Sequence, residues 1–248
     1  MSGLVGRLRS LVVYWRPGRQ GGLRRMYRPF VGPGDLVFDI GAHLGDRTAA
    51  FAALGARVIA FEPQPEIRKW LEKMVGSDER VTIRREAVGR QVGTARLAIS
   101  RDNPTLSTLA EDWRDSLPKA NPSFRNVRWD DTVEVPVTTL DALIAAYGVP
   151  RFCKIDVEGF EAEVLAGLSQ PVAGVSIEFV SGGVDVAVAC LRRLEALGSY
   201  EFNAIPGERR KFVFERWQSG EQIERWLRAG ADGASSGDIY ARLTDGVR

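Results

Sequence analysis

From residue 35 onward, short apolar runs alternate with stretches whose apolar positions recur every three or four residues. This is the pattern of an α/β fold, a parallel sheet covered by helices on both faces. Strands are predicted over residues 36–40, 57–61, 81–84, 95–99 and 151–156, and helices over 47–54, 66–75, 140–147 and 161–168. The first two strands lack polar alternation, as burial on both faces requires. A strand is also predicted at 172–179, an edge strand at 133–137 and a helix at 184–197. Residues 200–205 and 211–214 read as a closing antiparallel pair, followed by a helix at 221–227 and a short strand at 239–243. Residues 100–132 carry Pro104, Pro118, Pro122 and two tryptophans without a clear period. Connections of that length inside a domain are usually functional, and a lid is expected. The stretch GADGASSG at 230–237 reads as a flexible loop.

Composition narrows the chemistry. At 248 residues and 44% hydrophobic content, the chain can bury a sizeable core as one large domain or a domain plus extensions. The net charge of +2 hides an asymmetry: seven arginines and no acid precede Asp35. Residues 1–34 therefore form a basic, helical arm able to hold an anionic membrane, nucleic acid or an acidic partner. Alternatively, Leu4, Leu8, Leu11 and Val12 pack as one amphipathic helix in a solvated leader. The apolar piece at 11–15 is too short for a transmembrane span or a secretory signal, and a cytoplasmic location is expected. Two cysteines make no disulfide framework, in keeping with a reducing compartment. A single histidine, His43, excludes a His-rich zinc site and leaves most acid/base work to carboxylates.

The stretch VFDIGAHLG at 37–45 ends a strand and opens a helix, where glycines let backbone approach a ligand. It is not G-x-G-x-x-G, and no phosphate-binding P-loop occurs in the chain. A nucleoside ligand without phosphates fits better, and S-adenosylmethionine is one. Glu62, 21 residues after Gly41 (62 − 41), stands close to the spacing of about 20 expected of a ribose-binding acid. The plainer alternatives are a turn or helix-start acceptor for Asp39, a surface ion pair for Glu62 and a ligand-free turn for Gly41 and Gly45.

Four patches carry a family resemblance: Phe38-Asp39-Ile40-Gly41-Ala42 with Gly45, Phe61-Glu62-Pro63, Ala87-Val88-Gly89, and KIDVEGFE at 154–161. Weaker matches are Ser107-Thr108-Leu109, Thr139-Leu140-Asp141 and Ile177-Glu178-Phe179. Over residues 35–179 the chain resembles the FkbM-type family of S-adenosylmethionine-dependent methyltransferases. The resemblance implies a class I methyltransferase (Rossmann-like) fold over 35–248, with a mostly parallel seven-stranded sheet and a C-terminal antiparallel hairpin. It implies that Asp39, Gly41, Ala42, Gly45, Glu62, Ala87 and Asp156 contact the cofactor. It also implies O-methylation of a hydroxyl on a small-molecule acceptor such as a sugar or polyketide. Where the family usually carries asparagine, this chain has His43, a local hydrogen bonder or a group with a direct role.

A hydroxyl is a poor nucleophile until its proton is removed, which calls for a base within reach. Asp156 and Glu158 are the candidates, Asp156 facing the cofactor and acceptor and Glu158 orienting the acceptor or taking its proton. Lys154 either pairs with one of them or snorkels to the surface. Glu161 and Glu163 read as helix-start residues favoured by the macrodipole. His43, Ser107, Lys154 and Glu178 are the expected acceptor-side or lid residues. An Mg²⁺- or Ca²⁺-type site among the carboxylates is conceivable, but a carboxylate base requires no metal. Two other functions fit the same residues: an N- or nucleic-acid methyltransferase using the basic arm, and a non-catalytic cofactor-binding protein.

Overall fold

The computed structural model describes residues 15, 18–100, 102–103, 106–121, 125–207 and 209–244. The helix expected from Leu4, Leu8, Leu11 and Val12 lies outside them. In chain order, the first half runs α1 (Arg19–Tyr27), β1 (Leu36–Ile40), α2 (Asp46–Ala53), β2 (Arg57–Phe61), α3 (Pro65–Val75) and β3 (Val81–Arg84). It continues with β4 (Ala87–Val88), β5 (Gly93–Ile99), α4 (Glu111–Ala120) and β6 (Asp131–Thr138). The second half is α5 (Leu140–Tyr147), β7 (Phe152–Ile155), α6 (Glu161–Ala166), β8 (Gly174–Val180), α7 (Val184–Leu197), β9 (Tyr200–Pro206), α8 (Gly220–Arg228) and β10 (Ser236–Leu243).

The main sheet has seven strands in the order β3-β2-β1-β7-β8-β10-β9. Its first five are parallel, and β10 runs antiparallel to both β8 and β9. Strand alternation divides the core between the two faces. Phe38 and Ile40 of β1 join Ile59, Ile155, Leu143, Val164 and Leu191 under α5, α6 and α7. Val37 joins Val58, Phe152, Phe51, Leu23 and Tyr27 under α1 and α2. The spacing of Leu23, Tyr27 and Val31 aims one side of the N-terminal segment at the sheet, where all three are buried. The Tyr27 and Phe51 rings meet at 4.4 Å between centroids. Arg19, from the basic segment, is fully buried and pairs with Asp46 at 2.7 Å.

Three local expectations change. Residues 133–137 are not an edge: β6 is the middle strand of a separate three-stranded sheet, β4-β6-β5. The two-residue β4 that flanks it is too short to leave a periodic signal. Residues 211–214 form no strand, and the partner of β9 is β10. They lie beside β9, tied by Val213 N to Ala204 O at 2.9 Å and by Asn203 to Phe214. Their apolar residues serve side-chain packing instead, with Phe212 against Trp217 and Tyr240. The 100–132 stretch contains α4, whose period is masked by Pro118 inside it and by its charged residues.

Candidate functional site

Strand order reverses between β1 and β7, so the chains leaving their carboxyl ends diverge and open a crevice. Together with the open space at its mouth it measures about 1210 Å³.

One half is built by the turns after β1 and β2. Gly41 N and Ala42 N both donate to Phe61 O, at 3.0 and 2.9 Å, which ties the glycine turn to the neighbouring strand. Gly41 has φ of 78°, and a Cβ there would stand 1.8 Å from the Asp156 carbonyl oxygen. Only glycine lets the turn press against β7's end in this way. Glu62 is 7% exposed and, among the described residues, enters no ion pair within 4.0 Å. Its carboxylate accepts from His43 N at 3.0 Å and Gln64 N at 2.9 Å. Burial pushes Glu62 up to about 7, against the pull of those two N–H groups. Burial pushes His43 down to about 4, so its imidazole is neutral at physiological pH. Ala87 and Glu86 continue the wall, and Ser107 Oγ reaches Gln64 Oε1 at 3.3 Å.

The other half rests on β7 and β8. Lys154 does not snorkel: it is 3% exposed and donates to Asp156 Oδ2 at 3.0 Å, with Asp39 Oδ1 3.9 Å away. Burial alone would push the Lys154 ammonium down, but Asp156 and Asp39 outweigh it and raise its pKa. Burial likewise opposes ionisation of Asp156, but Lys154 and then Arg47 hold that carboxyl below its ordinary value. One oxygen each of Asp156, Glu158 and Glu178 lies within 4.8 Å of the others. By accessible surface these three are only half-buried, yet they sit at the bottom of a concave crevice. The enclosing protein therefore sets their protonation. Burial, then the charge of Asp156, raises Glu158 well above the usual carboxylate range; burial, then Glu158, does the same to Glu178. Glu178 Oε2 is buried with no hydrogen-bond partner among the described residues. Three such oxygens are the donor type a hard divalent cation takes, although Asp156 already neutralises Lys154.

Of the residues expected at the cofactor, Gly41, Ala42, Glu62, Ala87 and Asp156 line the crevice, as do Glu158, His43, Ser107, Lys154 and Glu178. Asp39 and Gly45 do not. Asp39 is fully buried beneath the floor, accepts from Thr48 Oγ1 at 2.5 Å and faces Lys154. A Cβ on Gly45 would meet Leu71 at 2.6 Å, so this glycine serves the packing of α3 against the turn. Glu161 is more than a helix-start charge. It is 2% exposed, and its Oε1 accepts from Val157 N at 2.9 Å and Gly159 N at 3.3 Å, bracing the turn that carries Glu158. Burial pushes Glu161 up to about 7. Glu163 pairs with exposed Arg90 at the surface. Sequence reasoning missed Arg47 and Thr108 on the crevice wall. Thr108 sat inside the Ser107-Thr108-Leu109 match, whereas nothing marked Arg47 beyond its place two residues after Gly45.

The sheet order, the crevice at its switch point and the antiparallel C-terminal strands define a class I methyltransferase fold. Residues 39–231 match the family model described as the methyltransferase FkbM domain, and the chain belongs to that family. It is 26% identical over 155 residues to the hexuronic acid methyltransferase AglP of Haloferax volcanii, a match over 61% of this chain and 58% of that protein. The chain thus spans little more than half the length of that relative. In structure it is similar to a TehB-like SAM-dependent methyltransferase from Corynebacterium glutamicum, with a TM-score of 0.50, 12% identity, and coverage of 97% of this chain and 96% of that one. It also aligns with precorrin-6y C5,15-methyltransferase from Geobacter metallireducens, with a TM-score of 0.47, 10% identity, and coverage of 91% and 87%.

Proposed function

We propose that this protein is an S-adenosylmethionine-dependent O-methyltransferase acting on a hydroxyl of a small, sugar-like acceptor. The observation that carries this reading is the carboxyl set at the ends of β7 and β8: Asp156 paired with Lys154 at 3.0 Å, with an oxygen each of Glu158 and Glu178 within 4.8 Å. When bound, the cofactor supplies an electrophilic methyl group on a sulfonium. Gly41 and Ala42 offer a close backbone approach, Glu62 offers a carboxylate to the ribose hydroxyls and Ala87 an apolar edge to the base. The orphaned Glu178 Oε2 and the raised Glu62 fit such a ligand, since donors from ribose and acceptor hydroxyls would satisfy them.

On the acceptor side, Asp156 is paired with Lys154 and is a weak base. It orients the acceptor. Glu158, whose affinity for a proton is raised, takes the hydroxyl proton from its ionised form as the oxygen attacks, so transfer is expected to rise with pH. Neutral His43 is a poor base at physiological pH because its pKa is already down to about 4. The hexuronic acid substrate class in the name of the AglP relative supports a sugar acceptor. A nucleic-acid acceptor fits less well: a phosphodiester entering the crevice would meet Asp156, Glu158, Glu178 and Asp238.

Calorimetry with S-adenosylmethionine, followed by label transfer to a panel of neutral, acidic and amino sugars, tests the reading. Binding plus transfer abolished by Glu158→Gln is expected. Absence of cofactor binding at millimolar concentration sinks it, and binding without transfer to any hydroxyl acceptor favours the non-catalytic alternative. Because proton transfer is assigned to Glu158, chelation with EDTA is expected to leave the transfer rate unchanged. A rate lost on chelation and restored by Mg²⁺ would move the three carboxylates to a metal role.

A further inference from the structure

Glu158 has a left-handed backbone, φ 55°, a conformation that costs a non-glycine residue energy and persists only where its surroundings impose it. Three contacts from the 106–121 segment reach this turn and the neighbouring end of β8. Thr108 Oγ1 donates to the Glu158 carbonyl at 2.6 Å across fifty positions of sequence. The Trp113 indole lies against Gly159, where a Cβ would stand 2.3 Å from the ring, and also borders Gly183. Asn121 Nδ2 reaches the Ser181 carbonyl and hydroxyl, both at 3.1 Å. The 106–121 segment is therefore fastened to the ends of β7 and β8.

Thr108 differs from the other two anchors because its backbone is secured without its side chain. Thr108 N donates to Ala98 O at 3.0 Å, and Ala98 N donates to Thr108 O at 2.9 Å. Its residue is 2% exposed, and its hydroxyl accepts from Ala110 N at 2.9 Å while donating to Glu158. The neighbouring Ser107 contacts Gln64, the residue that helps hold Glu62. One dipeptide thus touches both the cofactor-side turn and the acceptor-side turn.

We propose that Thr108 is a positioning residue: its hydroxyl holds the Glu158 turn in the left-handed conformation that keeps the Glu158 carboxylate at Asp156 and Glu178. This deepens the assignment of Glu158 as the proton acceptor and rests on it. Without the hydroxyl the Glu161 brace still holds Val157 and Gly159, but the Glu158 peptide between them relaxes from the left-handed conformation and its carboxylate turns from the crevice towards solvent. It then loses the burial and the neighbouring charge that make it basic.

The test compares Thr108→Val, which keeps shape and removes the hydroxyl, with Thr108→Ser, which keeps the hydroxyl. The Glu158 carboxyl is followed through pH by carbon NMR of carboxyl-labelled protein and assigned by its absence in Glu158→Gln. In Thr108→Val it is expected to titrate at lower pH than in the wild type. Transfer to whichever sugar acceptor is found should fall about a hundredfold, the low end of what a positioned base contributes, with cofactor affinity by calorimetry unchanged. Thr108→Ser is expected to match the wild type in all three. An unshifted Glu158 titration in Thr108→Val overturns the proposal, as does equal loss in Thr108→Val and Thr108→Ser together with lowered thermal midpoints, which marks a packing role. Full turnover in Glu158→Gln overturns instead the underlying base assignment, while the titration still reports whether Thr108 holds the turn.

Discussion

Lys154 stands between two carboxylates at a depth where a lone ammonium would not stay charged. Its 3.0 Å bond to Asp156 and its approach to Asp39 make all three groups depend on each other. Lys154→Met leaves buried Asp39 and half-buried Asp156 without their nearest counter-charge, and loss of one partner of a buried pair costs about 3–5 kcal/mol. Denaturant unfolding should show a loss of that order, and an unchanged midpoint would mean the triad is not coupled. Glu62 makes a second prediction at this scale. Burial pushes its carboxyl up to about 7, and ribose hydroxyls donate most strongly to the ionised form, which offers two acceptor oxygens. Cofactor affinity should therefore rise as pH increases through about 7, and Glu62→Gln should bind more weakly and lose that dependence. Calorimetry across pH 5.5 to 8.5 covers the window around that value.

Among the elements, α1 is the one whose role depends most on the rest of the fold. It is rich in arginine and reads as a solvated charge run, yet Leu23 and Tyr27 lie under 2% exposed against β1, β7 and α2. A buried leucine truncated to alanine costs about 2–5 kcal/mol, so Leu23→Ala should destabilise the whole domain by that amount. An effect below about 0.5 kcal/mol, the level of surface changes, would show that α1 is dispensable to the core. The KIDVEGFE stretch was legible as strand followed by acidic turn because the apolar run stops where the charges begin. The function of Glu161 within it was not legible. A glutamate at a helix start looks the same whether it faces solvent or, as here, accepts from the N–H groups of Val157 and Gly159.

Over the whole molecule, the buried acids give stability an unusual pH course. Glu62 and Glu161 are raised in the folded state from 4.5 to about 7. The folded chain therefore holds protons that the unfolded chain releases, so stability is fully present below about 4.5 and falls as pH rises towards 7. Glu158 and Glu178, also raised, extend the fall to higher pH. Asp156 has the opposite sign, since its contribution is lost as pH drops through a value below 3.8, outside that window. Thermal melting of the ligand-free protein should show a declining midpoint from about pH 5 to 7.5, by the order of a few kcal/mol in stability. Quadruple replacement of these glutamates by glutamine should flatten it.

What the sequence determined by itself was local and periodic: the buried parallel strands, the helices between them, the glycine turn after β1, Glu62 at the end of β2 and the carboxylates after β7. These follow from which residues can bury and which backbone positions demand glycine, and neighbouring residues settle both. Only the tertiary structure decided that Lys154 pairs with Asp156 and leaves Glu158 and Glu178 beside that pair. It also decided that Asp39 supports Lys154 from below the floor, that Gly45 serves packing, and that Thr108 reaches Glu158. Protonation depends on burial and on charges brought from other strands, and a hydrogen bond across fifty positions leaves no mark on the local pattern.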